Sequence, residues 1–211
     1  MSTDPAPSSE CPRPVSSGEV FADAVAAAAA RHLALAPAAS MQELAEAAGI
    51  SRATLFRRFP SRAALVAELC EAAAQAFVRA VDEAALDEGT PPEALARVVE
   101  ALGRLASVVG LLGLQPLSEH VEASLLARTA QADDKLRRLV RRGQESGLFR
   151  VEVDPDWFLA MLTWLMVGAA DSVRLGRLTA NAAHRHLAAT LETALLRPDA
   201  IPEFSVGTTR A

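Results

Sequence analysis

Between Ser40 and Ser61 the chain is punctuated at intervals that leave room only for short, tightly connected helices. Ser40-Met-Gln-Glu43 has the form of a capping box. The serine hydroxyl accepts from the third helical amide, and the glutamate reaches back to the serine N–H. Gly49 stands where a left-handed residue ends that helix. Ser51 can cap a second helix, Arg52 to about Arg58, which Phe59-Pro60 stops because a residue before proline avoids the α region. Ser61 then opens a longer helix, with Leu65, Leu69, Ala72, Ala76, Phe77 and Val81 on one face, to about Leu86. Two helices must therefore cross close to their connecting turn.

The rest of the chain repeats this grammar without a fixed period. A helix is expected over 18–35, ahead of Pro37. Thr90-Pro91-Pro92-Glu93 starts another, carrying Leu95, Val98, Val99, Leu102, Leu105 and Val109. Gly110, Gly113 and Pro116 disturb the pattern around 110–117. Helices are expected over about 117–130, 133–146, 155–175 and 179–196, with an extended stretch at 148–153. The fold class is therefore all-α, with about nine helices. Composition agrees: alanine fills 45 positions, Tyr is absent, and there are only seven Phe and two Trp. Residues 1–17, rich in Ser and Pro, read as a disordered tail, and 199–211 as a C-terminal tail.

Several classes are set aside. Cys11 and Cys70 are too few for a disulfide framework or a zinc site, and read as free thiols. The first 20 residues lack the apolar core of a signal peptide. The longest apolar run, Trp157–Ala170, is shorter than the ~18–20 residues a membrane span needs. No phosphate-binding glycine loop, nucleophile elbow or zinc-protease pair is present, so neither an enzyme nor a cofactor is expected, and no metal site.

Charge is unevenly placed. The chain carries −5 overall, yet residues 38–66 hold four arginines, Arg52, Arg57, Arg58 and Arg62, against two glutamates, Glu43 and Glu46. A basic island on an acidic body suits one polyanion-binding surface. A helix-turn-helix projects the N-terminal side chains of its second helix into the DNA major groove. Ala45 and Gly49 supply the small residues of the crossing, and Leu44, Ala48, Ile50 and Leu55 fix its angle.

The stretch from Ser40 to Leu65 resembles the DNA-binding domain of the tetracycline-repressor (TetR) family. The matching residues are Leu44-Ala45, Ala48-Gly49-Ile50-Ser51, Thr54-Leu55-Phe56 and Phe59-Pro60-Ser61-Arg62 with Leu65. The resemblance implies a homodimer with an N-terminal DNA-binding domain, 18–64, and a ligand-binding and dimerisation domain, 65–198. It implies DNA contacts from Ser40, Ser51, Arg52, Thr54, Arg57 and Arg62, with Ser40 and Arg62 on phosphate. Phe56 departs from the family's usual Tyr and cannot donate a hydroxyl to phosphate; Arg58 is the expected compensation.

Trp157–Ala170 is apolar all round, so its second side calls for cover, most economically by another copy of the chain. This helix and the last match the family's dimer pair, with Leu165, Gly168, Ala169, Ser172, Leu187, Leu191, Ala194 and Leu195 expected at the interface. An apolar pocket is expected from Phe77, Leu102, Leu105, Val109, Phe158, Met161 and Trp164, with Ser107, His120 and Ser124 as sparse polar groups. Its ligand would be a small apolar or amphipathic effector. The basic run Lys135–Arg142 reads as a solvated helix face with Asp133–Arg137 and Asp134–Arg138 pairs. His184 and His186 read as surface residues. The expected function is a cytoplasmic, bacterial, ligand-responsive transcriptional regulator, a repressor acting on a palindromic operator of double-stranded DNA. The alternative is a ligand-binding dimer of the same fold without specific DNA binding.

Overall fold

The computed structural model describes residues 24–36, 38–112 and 117–197; within these, side chains at 31, 34, 35 and 107–118 are not described. The expected tails, the onset of the first helix near Gly18, and Gly113 and Pro116 lie outside the described residues. So do the side chains of Ser107 and Val109.

Nine helices follow one another among the described residues: α1 (Ala24–Leu35), α2 (Met41–Ala47), α3 (Arg52–Arg58), α4 (Arg62–Glu83), α5 (Pro91–Leu112), α6 (Leu117–His120), α7 (Ala123–Glu145), α8 (Pro155–Arg174) and α9 (Ala180–Leu195). The all-α expectation holds. The division differs in one place. The sequence suggested a break near Ala130–Asp133, but α7 runs through it and the chain breaks instead at Val121–Glu122. Asp133 and Asp134 read as an N-cap, yet nothing between Ala130 and Asp133 obstructs a helix, and tertiary packing of Ala132, Leu136, Leu139 and Val140 carries it onward. The expected extended stretch after Gly147 is reduced to a single antiparallel bridge, Phe149 with Leu196.

The caps form as the sequence predicts. Thr90 N–H donates to Glu93 Oε2 at 2.8 Å. Asp154 accepts from the amides of Asp156 and Trp157 at 2.8 and 3.2 Å. Around one continuous core, α5 packs on α8, α4 and α9, while α4 also packs on α7. Leu95, Leu102, Leu136, Phe149, Phe158 and Leu191 are closed completely into it. Cys70 lies buried on α4, and burial pushes its thiol up to about 11, so it is a poor nucleophile.

The corner between α4 and α5 is fastened by two arginines. Arg97 donates to the carbonyls of Ala84, Ala85 and Glu88 at 2.7–2.8 Å. Arg142, from α7, donates to those of Leu86 and Asp87 at 2.7 and 2.8 Å. Five consecutive carbonyls left over after the end of α4 are thus satisfied by charged donors.

Candidate nucleic-acid interface

The turn between α2 and α3 is built by local chemistry. Ser40 N–H donates to Glu43 Oε2 at 2.8 Å, and Glu43 N–H donates back to Ser40 Oγ at 3.3 Å. These bonds from Ser40 hold the Glu43 carboxyl below its ordinary value. At the other end Ile50 N–H reaches Ala45 O and Gly49 N–H reaches Glu46 O, both at 3.0 Å, closing a Schellman turn. Gly49 has φ +69°, and a Cβ there would meet nothing within 4 Å, so backbone conformation alone demands glycine. Ser51 caps α3 by accepting from Thr54 N–H at 3.1 Å, and the two hydroxyls lie 2.9 Å apart. Leu44, Ala45, Leu55 and Leu65 are fully buried and Phe59 is 1% exposed, so α3 is held rigidly.

That core turns Leu55 inward and leaves Arg52, Ala53, Arg57 and Arg58 exposed. Arg52 lies over the Phe56 ring, 5.1 Å from its centroid. Half-buried Phe56 is therefore a platform that stiffens a cation rather than a donor. Arg52 and Arg57 have no ion pair among the described residues. Arg58 is drawn backwards: it pairs with Glu68 of α4 at 3.3 Å and stacks 4.9 Å above Phe59. Exposed pairs of this kind contribute about 0–1 kcal/mol, so Arg58 is easily exchanged onto another anion. Arg62 Nε donates to Ala39 O at 3.3 Å, tying the start of α4 to the residue ahead of the α2 cap. Ser40 Oγ is also committed, donating to Glu43 Oε2 at 2.7 Å, so a phosphate would have to displace that carboxylate. Ala53 escaped the sequence reading; its signal was position, one turn before Arg57 on the same outward face.

Two partly open cavities lie among the described C-terminal helices. One, of about 310 Å³, lies between α7 and α8 with Phe77 of α4; Leu159, Leu162, Met166 and Trp164 form its apolar wall and Asp133, Arg137 and Asp156 its polar one. Of the expected pocket residues only Phe77 and Trp164 line this groove. Leu102, Leu105 and Phe158 belong to the closed core because they lie on the faces that α4, α5 and α8 turn to one another. Met161 packs half-buried against that core. His120 ends α6 half-buried, and Ser124 is exposed in the first turn of α7. Arg137 bonds Asp134 at 2.9 Å and Asp156 at 2.6 Å, instead of the Asp133 expected from spacing, since α8 brings an acid within reach. Lys135 likewise pairs with Asp82 of α4 at 2.7 Å, so this basic run stitches helices together.

The second cavity, about 70 Å³, lies between α5, α8 and α9 beside Glu100, Gly103 and His184. His184 is not a surface residue as expected. Its Nε2 lies 2.6 Å from Glu100 Oε2, and its ring fills the space over Gly103, where a Cβ would collide with Nδ1. A glycine opposite a histidine on a distant helix gives no signal in one sequence. Among the described residues no cluster of three or more His, Cys, Asp or Glu side chains could hold a metal, and no helix is long and apolar enough to cross a membrane.

Comparison with known proteins bears on this geometry. The family "Bacterial regulatory proteins, tetR family" matches residues 26–69, which covers most of α1, all of α2 and α3, and the start of α4. The HTH-type transcriptional regulator NfxB of Pseudomonas aeruginosa is 33% identical over 153 residues, 70% of this chain and 80% of its own length. The chain belongs to the tetR family. Among solved structures, the TetR-like regulator LfrR from Mycobacterium smegmatis in complex with proflavine superposes with a TM-score of 0.62 at 23% identity, covering 82% of this chain and 95% of that one. PfmR from Thermus thermophilus gives a TM-score of 0.59 at 26% identity, covering 84% and 96%. This tetR-family chain is thus a helix-turn-helix transcriptional regulator.

In this tetR-family fold the residues expected at a dimer interface fall into two groups. Leu187, Leu191 and Leu195 close into the chain's own core, at 3%, 0% and 0% exposure, because α9 packs on α5 and α8 through that stripe. Gly168 is exposed, and Leu165, Ala169, Ser172 and Ala194 are half-buried. The outer face of α8 also presents Trp157 and Trp164, 65% and 62% exposed. The apolar circumference of α8 is therefore covered on one side only within a single chain.

Proposed function

We propose that this tetR-family regulator is a repressor that binds a palindromic operator as a homodimer and releases it when a small molecule occupies its C-terminal domain. The observation that carries the reading is the outward face of α3: two exposed arginines without an ion pair among the described residues, Arg52 and Arg57, on a helix locked by a Schellman turn and a buried leucine. Arg52, stacked over Phe56, and exposed Arg57 present cations that suit phosphate and base edges. A second copy is the natural cover for Trp157, Trp164 and Gly168 on α8, and a palindromic operator requires the two α3 helices to stand about one DNA turn apart, ~34–36 Å. The 310 Å³ groove against α8 is of a size for a small effector. LfrR, which shares this fold, has been solved in complex with proflavine, which supports a small-molecule ligand for the present chain.

The test is selection of the full chain against a random duplex library at moderate salt, with sedimentation in parallel. Enrichment of a two-fold symmetric site by a dimeric protein supports the reading. A folded dimer that enriches nothing favours the ligand-binding dimer without specific DNA binding. Phe56, which lacks a hydroxyl, and Ser40, whose hydroxyl is held by Glu43, are the features on that side.

A further inference from the structure

We propose that Glu68 limits the strength of DNA binding: its carboxylate competes with DNA phosphate for the Arg58 guanidinium. This rests on reading α3 as the DNA-binding helix, and it adds a residue from outside the helix-turn-helix to the control of that binding.

The three arginines of α3 are not held alike. Arg52 lies over the Phe56 ring, and Arg57 is exposed without an ion pair among the described residues. Arg58, the last residue of the helix, is drawn across the Phe59-Pro60-Ser61 turn toward α4. Its Nη2 lies 3.3 Å from Glu68 Oε1, and its guanidinium stands 4.9 Å from the centroid of the Phe59 ring. Phe59 is buried, so it is a fixed floor beneath the cation.

The carboxylate carries the same unit charge as a phosphodiester, and its hold is loose. The two side chains are 40% and 50% exposed, and 3.3 Å is long beside the ~2.7–2.9 Å of a well-made charge-assisted bond. An exposed pair of this kind shifts an equilibrium by about fivefold at most. Arg58 is therefore divided between an anion carried by the chain and one brought by the duplex, where its planar fork can bond two phosphate oxygens at once.

The fold itself does not call for an acid at position 68. Glu68 is exposed, while Leu65, Val66, Leu69 and Cys70 around it supply the packing of α4. It stands beyond the first turn, where an acid would complement the helix dipole. Seven residues past the Ser61 cap, it lies about 10 Å up the same face of α4. Once a duplex takes Arg58, Glu68 is left within about a Debye length of the helix start, and its repulsion of phosphate adds to the loss of the pair.

The experiment measures the affinity of the full chain for a random-sequence duplex and for a selected one, by fluorescence anisotropy at low salt. The proteins are the natural chain, Glu68→Gln, Arg58→Ala and the double variant, each checked by thermal melting. Glu68→Gln should tighten both duplexes by the same factor, about three- to fivefold, with melting unchanged. In the Arg58→Ala background the same substitution should give at most about half that factor, because only the repulsion is left to remove. Equal gains in the two backgrounds would reduce Glu68 to an acid that repels the duplex, and no gain would show that the pair does not compete with DNA; either result overturns the proposal. A gain confined to the selected duplex overturns it too, since phosphate carries no sequence. The random duplex reports the competition without an operator, so a chain that selects no site but shows the Arg58-dependent gain supports the proposal while the operator reading fails. A folded chain of which no variant binds any duplex overturns both.

Discussion

Gly143 and Gly168 are both helical glycines, and the same substitution should move stability in opposite directions at the two. Replacing glycine by alanine inside a helix gains about 1 kcal/mol from backbone propensity. At Gly168, on the exposed face of α8, a Cβ would meet nothing within 4 Å, so Gly168→Ala should stabilise the folded chain by about that amount. At Gly143, in α7, the Cβ would fall against the edge of the Phe149 ring, 2.5 Å from Cε2 and nearer still to Cδ2 and Cγ, far inside contact distance. Phe149 is fully buried, and its backbone is bridged to Leu196, so the ring has nowhere to retreat. Overpacking of a closed core costs about 1–3 kcal/mol, and a Cβ this far inside contact distance belongs at the upper end, which leaves a net loss of about 2 kcal/mol. In a chain of this size each kcal/mol moves the melting temperature by about 2–4 °C. The assay is urea denaturation of both variants at one fixed protein concentration, because dimerisation would make the midpoint concentration-dependent. A Gly143→Ala protein as stable as the natural one would refute the steric argument. Sedimentation adds a second reading at Gly168: if α8 meets its two-fold mate there, the alanine should weaken self-association at least several-fold even as it strengthens the single chain.

The other expectations concern the DNA-binding end. Arg57→Ala should lower affinity for the enriched site and relax sequence preference, whereas Arg62→Ala should weaken all duplexes alike and reduce the salt slope by ~1; equal losses on specific and random duplex for both variants would reject these roles. Gly49→Ala should cost about 1–2 kcal/mol in denaturation, since alanine must adopt φ +69° without any new contact, and unchanged stability would show that the turn relaxes. The Glu43 carboxyl has its pKa depressed by the Ser40 bonds, so its contribution is present above the ordinary carboxylate range and disappears as pH falls through the depressed value. The stability gap between the natural protein and Glu43→Gln should therefore narrow in acid, and a gap constant with pH would contradict the capping-box assignment.

What the sequence made readable is what short-range chemistry determines. Ser40, Glu43, Gly49, Ser51 and Pro60 each act on a backbone atom a few residues away, so the bounds of α2 and α3 followed from their identities. The C-terminal half resisted where the partner comes from another helix. Arg137 had an acid at the right spacing on its own helix and chose Asp134 and Asp156. His184 had no local partner and found Glu100 across the bundle. Phe77 and Trp164, expected at a pocket, line this groove, whereas its polar wall gave no signal: Asp133 read as a helix-start acid and Asp156 arrives from another helix. The leucines of α9 have the same period whether they face the chain's own core or a second copy, and only packing separates the two.

The fastening of residues 84–88 has a mechanical consequence. With all five carbonyls gripped by Arg97 and Arg142, the heel of α4 is pinned to α5 and α7 and cannot give. A shove delivered part-way along a rod with a clamped heel is felt at the toe. The toe of α4 is Arg62, whose Nε donates to Ala39 O at the α2 threshold. In the proposed response to a ligand, that corner would serve as the fulcrum of a lever, with the stroke growing toward Arg62. Loosening the corner, by removing Arg97 or Arg142, would let the same shove dissipate as slack before it reached the recognition helix.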